Sequence, residues 1–123
     1  MDGIVNVMKP AGMTSHDVVA KLRRVYHTKK VGHTGTLDPD AVGVLPVCVG
    51  QATRLVEYFT EKDKTYKVIM KFGTETNTQD ASGEVTVETE LPSLSKAEFI
   101  AVTEQFIGEI KQVPPMYSAI KKD

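Results

Sequence analysis

Residues 32–47 read GHTGTLDPDAVGVLPV, and no other stretch of the chain so narrows what it can fold into. Three glycines, two prolines, a histidine and two carboxylates form a loop that runs directly into an apolar strand. Glycine lets the backbone turn sharply and lets a ligand approach closely, because no Cβ stands in the way. An aspartate fixed at a strand mouth is well placed to meet a substrate, since sites collect on loops held by a rigid scaffold. Asp-Pro also starts ordinary turns, so spacing alone leaves both a turn and a reactive site open for Asp38.

The rest of the chain supplies a scaffold for such a loop. Ile4–Val7 reads as a short strand ended by Lys9, Pro10 and Gly12. Thr14 followed by Asp17 predicts a capping box and a helix with Val18, Val19, Leu22 and Val25/Tyr26 on its apolar face. Val44–Val49 is a second strand, and Ala52–Phe59 a second helix. Thr65–Phe72 alternates, with Tyr66, Val68, Met70 and Phe72 on one face and Lys67 and Lys71 opposite, which predicts a strand. Glu84–Glu90 alternates too, and the polar turn 77–83 between them suggests a long-looped hairpin. Ser95 and Glu98 make another capping box, opening a helix that carries Phe99, Val102, Phe106 and Ile107, with Gly108 as its C-terminal cap. The expected fold is α/β of the α+β type, a mixed, largely antiparallel sheet flanked by helices.

Bulk properties exclude several classes. At 123 residues there is room for one domain with a modest core. Hydrophobic residues make up 41% and charged residues 25%, both near the globular average, which argues against a disordered chain. No apolar run has the length of a bilayer span, and the N-terminus shows no signal-like segment, so no membrane association is expected. A lone cysteine, Cys48, rules out an intrachain disulfide and suits a reducing cytoplasm; between Val47 and Val49 it reads as a small buried hydrophobe. The net charge of −1 gives no global attraction to nucleic acid, but its distribution is uneven. Residues 1–54 hold seven Lys/Arg against four Asp/Glu, and residues 55–123 hold eight against twelve. Lys21, Arg23, Arg24, Lys29 and Lys30 precede the His33 loop, where phosphate contact would position a nucleic acid without reading its sequence.

The run GHTGTLDPDAVGVLPVCVG, residues 32–50, resembles the catalytic-aspartate motif of the TruB family of tRNA pseudouridine synthases. Three further segments resemble the family in the same order: KPAGMTSHD at 9–17, DKTYKV at 63–68 and VPPMYSAIK at 113–121. The likeness spans essentially the whole chain. It implies a pseudouridine-synthase catalytic fold, with residues 1–123 as its N-terminal part and the fold incomplete at the C-terminus, because a new motif opens at Val113, only ten positions before the sequence stops at Asp123. It implies isomerisation of the uridine at position 55, in the TΨC loop of tRNA. That reaction breaks the N1–ribose bond, turns the base and rejoins it through C5. It has no net redox change and no group donor, so neither a cofactor nor a metal is demanded.

By resemblance Asp38 is the nucleophile, a role a carboxylate can fill; attack at ribose C1′, attack at base C6 and assistance to glycal formation all stay open. His33 corresponds to the residue that fills the space vacated by the extruded nucleotide, and Tyr66 to the aromatic that stacks on it. Gly32, Thr34 and Gly35 shape the substrate loop, and Tyr117 and Lys121 support the pocket. The family's arginine partner for Asp38 lies beyond this chain, so weak or absent activity of the 123 residues alone is expected. Extrusion costs roughly a few kcal/mol, against which stacking supplies roughly 1–3 kcal/mol per base. Asp40 is read as a turn or capping residue, since a metal pair would want further oxygen ligands, and Lys9 as a brace for the catalytic loop. The expected partner is the TΨC stem-loop of tRNA, bound by a cytoplasmic monomer with no guide RNA. An RNA-folding module without catalysis and a dyskerin-like, guide-directed subunit are the alternative readings.

Overall fold

Strand β1 (Gly3–Lys9) pairs antiparallel with β3 (Gly43–Val49) over its full length, from Gly3 opposite Val49 to Lys9 opposite Gly43. The short β2 (Val31–His33) pairs with the other edge of β3, giving the order β1-β3-β2. The computed structural model describes residues 1–91 and 93–116. These divide into two compact units, residues 1–66 and the described residues from 67 onward.

The first unit is built on β3, the central strand. Leu45, Val47, Cys48 and Val49 are all buried; Leu45, Val47 and Val49 form one cluster with Val31 and with Val18 and Val19 of helix α1 (Ser15–Val25). Burying side chains of this size contributes about 1.5–3 kcal/mol each. Helix α1 begins as its sequence dictates: Thr14 accepts from the Asp17 N–H at 3.0 Å, and Asp17 accepts from the Thr14 N–H at 2.9 Å. Tyr26, not Val25, completes the packed face; Val25, the last residue of the helix, is exposed. The predicted helix at 52–59 is split into a 3₁₀ segment, Gly50–Leu55, and one short α-helix, α2 (Val56–Thr60).

The strand period places Val5, Val7 and Lys9 on the inward face of β1. Lys9 is thereby carried into the interior, where its side chain is fully covered. A buried ammonium needs partners for three N–H bonds. It finds the carbonyls of Pro10 (2.9 Å), Met13 (2.7 Å) and Pro39 (3.0 Å).

The second unit holds a two-stranded hairpin, β4 (Thr74–Thr76) with β5 (Val85–Glu88), and helix α3 (Lys96–Glu104). The capping box predicted at Ser95 and Glu98 is present. Helix α3 ends at Glu104, so Gly108 lies in the following turn at φ 97° and does not cap it. The predicted strand Thr65–Phe72 is corrected: among the described residues it joins no ladder. Pairing grows outward from the turn, where the Asn77 N–H meets the Glu84 carbonyl, and stops at Gly73. Gly73 adopts φ 91°, which takes the chain off the ladder before Phe72 can pair. Alternation marked a polarity pattern there, and Val68 and Ile69 are exposed on both faces. Phe72 instead meets Phe99 edge-on, with ring centroids 5.9 Å apart. No described residue of this unit is buried. No helix of the described residues is long and apolar enough to cross a membrane.

Candidate active site

The loop between β2 and β3 is fastened at nearly every peptide. Thr34, buried at its start, donates both its backbone N–H (3.1 Å) and its hydroxyl (3.0 Å) to the Pro46 carbonyl, turning the chain away from β3. The His33 Nδ1 faces the Gly35 carbonyl at 3.1 Å; a carbonyl only accepts, so this nitrogen carries the hydrogen. Further along, the buried Ser15 hydroxyl accepts from the Leu37 N–H at 2.9 Å and donates to the Leu37 carbonyl at 3.3 Å. Next, the Pro39 carbonyl accepts from Lys9 and from the Gly12 N–H at 2.9 Å. Between those two anchors the Asp38 carbonyl accepts the Ala41 N–H at 3.0 Å. Asp at the first and Pro at the second position suit such a turn. Asp40 sits inside the turn, as its sequence setting suggested.

The backbone of Asp38 is thus immobilised from both sides while its side chain stays exposed. Beside the loop lies a cleft of about 330 Å³, lined by Thr34, Gly35, Leu37, Val44, Phe59, Lys64 and Tyr66 among others. Lys64 packs close against Gly35: a Cβ there would stand 2.8 Å from Lys64 Cε and 3.1 Å from its Nζ, so any larger residue would push the lysine's end aside. Lys64 therefore lies against the loop and brings a cation to the cleft. On the other side of the loop a second concavity is lined by His16, Arg23, Gly32, His33, Gly35 and Thr36 among others.

Residues 23–123 match the model of the TruB family pseudouridylate synthase (N terminal domain). The chain belongs to the TruB family. Among TruB relatives, tRNA pseudouridine synthase B of Symbiobacterium thermophilum is 54% identical over 121 residues, covering 98% of this chain and 40% of that protein. The protein of the same name from Clostridium perfringens is 52% identical over 123 residues, covering 100% of this chain and 42% of its own length. The chain thus spans about two-fifths of the length of these curated relatives. A chain in the crystal structure of a Cbf5-Nop10-Gar1 complex superposes with a TM-score of 0.59 and 32% identity, over 98% of this chain and 31% of that one. The mixed α/β fold with antiparallel sheets is that of these pseudouridine synthases.

Against the TruB motifs, the structure gathers Thr34, Gly35 and Tyr66 on the cleft and puts Gly32, His33 and Gly35 on the second concavity. Asp38 lines neither; it follows Leu37, which lines the cleft, onto the exposed turn. Tyr117 and Lys121 lie outside the described residues. Cys48 is fully buried, and that burial pushes its thiol above the ordinary range, as befits a packing residue. Among the described residues no three His, Cys, Asp or Glu side chains converge as metal ligands would.

Sequence reasoning missed Ser15, Phe59 and Lys64. Ser15 follows the cap residue Thr14 and carries no local sign that its partner is 22 positions away. Lys64 stands two residues before Tyr66 in the DKTYKV segment, which was the only available signal.

Proposed function

We propose that the protein carrying this chain isomerises uridine 55 in the TΨC loop of tRNA to pseudouridine, with Asp38 as the nucleophile and the target nucleotide extruded into the cleft. Residues 1–123 then form the N-terminal part of one catalytic domain. The observation that carries this reading is the fastening of the loop: Ser15 on Leu37, and Lys9 with Gly12 on Pro39. A reacting group held to a fixed position avoids the entropy of finding it at each turnover. Lys9, Ser15 and Gly12 act through the backbone and are positioning residues.

In this account Tyr66 stacks on the extruded base from within the cleft, and Thr34 and Gly35 shape its wall. Gly32 lets the chain pass close to Val56, whose Cγ2 would stand 3.2 Å from a Cβ at that position. His33 fills the space the nucleotide leaves in the RNA. Lys64 supplies positive charge at the cleft, which attracts the substrate's phosphates. Tyr117 and Lys121, in the last matched motif, are assigned supporting rather than reacting roles. The enzyme works as a cytoplasmic monomer on bare tRNA. The relatives at 52% and 54% identity are named as tRNA enzymes, and this favours a free-standing enzyme over a guide-directed subunit.

The test is conversion of uridine 55 in an unmodified tRNA transcript by the complete protein, read by mass spectrometry of the digested RNA. Asp38→Ala is expected to abolish pseudouridine while leaving tRNA binding within a few-fold. Undiminished conversion by that variant would refute the assignment.

A further inference from the structure

The second concavity, of about 400 Å³, is not explained by base extrusion. Its polar lining comes from His16 and Arg23 of α1, His33 and Thr36 of the glycine loop, and Thr60 of α2. Among the described residues no aspartate or glutamate lines it. His16, Val19 and Arg23 stand at i, i+3 and i+7, so they share the face of α1 turned toward β2. Val19 is buried at the floor, and the two basic residues flank it roughly 10 Å apart along the helix axis. The Thr60 hydroxyl donates to the Val56 carbonyl at 2.8 Å, so Thr36 is the hydroxyl donor of a hollow whose charged side chains are basic, a setting that suits an anion. Arg24 is the neighbouring basic residue of the same last helical turn, yet it does not line the hollow. A general preference for cations at a helix C-terminus therefore does not account for the placement of Arg23.

We infer that this concavity seats a backbone phosphate of the RNA strand on the far side of the Gly32–Thr36 loop from the nucleotide cleft. The inference rests on the proposed enzymatic reading and deepens it. Gly35 lines both hollows, so the loop is the wall between them. RNA crossing that wall would leave its extruded nucleotide in one hollow and a flanking phosphodiester in the other, with His33 between. Arg23 makes the principal phosphate contact, and His16 and Thr36 add hydrogen bonds. The contact is to backbone, so it adds affinity and register without base preference.

The experiment measures binding of a fluorescent TΨC-type RNA hairpin by the protein across roughly 50–200 mM salt, for which each neutralised phosphate contributes about 0.7–0.9 to the log–log slope. Arg23→Gln is expected to raise Kd about five- to tenfold at the low-salt end and to reduce the slope by about one phosphate. Arg23→Lys should keep the slope, since a point charge still neutralises phosphate. Lys111→Gln, an exposed residue of the other unit, is the charge-matched control and should change little. Far-ultraviolet circular dichroism shows whether each variant retains its helices, and His16→Gln tests the same hollow from the other end of the helix face. Wild-type slope and affinity in folded Arg23→Gln, or an equal effect from Lys111→Gln, would overturn the inference while leaving the enzymatic reading intact. Conversion of uridine 55 by the unaltered protein is scored in parallel, and its absence would count against the enzymatic reading instead.

Discussion

Replacing Lys9 by Met is the sharpest structural perturbation available. The thioether keeps most of the stem's volume and removes all three donors. Hydrogen bonds to a charged group contribute about 1.5–3 kcal/mol each, and a carbonyl left without a partner costs about 1–3 kcal/mol. Pro10 and Pro39 are exposed residues, so their carbonyls are partly rehydrated once the ammonium is gone; Met13 is only half-exposed. The three contacts together then give a loss of about 3–5 kcal/mol, against a total stability of about 5–15 kcal/mol for a small domain. In a unit of this size each kcal/mol moves Tm by about 4–8 °C, so a fall of about 12 °C or more is expected. Urea denaturation at fixed m-value measures it directly. A loss below about 1 kcal/mol would refute the reasoning, since it would mean that the three carbonyls never depended on Lys9.

Other consequences are equally open to measurement. Ser15→Ala leaves the Leu37 N–H without its partner and should cost about 1–3 kcal/mol; kcat in the complete enzyme should fall with KM little changed, and Ser15→Thr should recover part of it. Equal loss in kcat and gain in KM would point to substrate binding rather than to placement of Asp38. Gly35→Ala should preserve the fold, because the obstructing atoms are the far end of a lysine, but should push Lys64 aside and lower kcat/KM more than Tm. The Asp17 carboxyl is held below its ordinary value of 3.8 by its hydrogen bonds to the Thr14 backbone and side chain. Its folded value being lowered, the cap's contribution is complete above the ordinary value and is lost as pH falls through the lowered one. Carbon-detected titration should place Asp17 below free aspartate, and Thr14→Ala, which removes the hydroxyl but keeps the backbone N–H, should raise it only part of the way; a midpoint at or above that of free aspartate in the unaltered protein would break the argument.

Local chemistry was legible wherever the interacting residues are close in sequence. Both capping boxes and the turn at 77–83 follow from spacing alone, because their partners lie a few residues apart; the strands around Val5 and Val47 were legible from their apolar runs, but not their pairing with each other across 42 positions. Lys9 shows where such reading stops. Its role as a brace could be suggested from the motif, but the threefold carbonyl clamp depends on β1 aligning Lys9 with Gly43 and bringing Pro39 within reach. Ser15 and Leu37 meet only after α1 packs on the sheet. Thr65–Phe72 failed for the complementary reason: alternation records which side chains are apolar, whereas a strand also needs an edge to pair with, and Gly73 withholds it. In the site, the glycine loop announced itself, while the division of its residues between two hollows was visible only once Val56, Phe59 and Lys64 were folded against it.

The account stands or falls on the Asp38 carboxylate reaching the target nucleotide. A structure of the complete protein with a TΨC hairpin carrying 5-fluorouridine at the target position measures that distance directly. The account predicts an Asp38 oxygen bonded to, or in van der Waals contact with, the extruded ribose or base. An extruded nucleotide well removed from Asp38, and met by some other carboxylate, would contradict it.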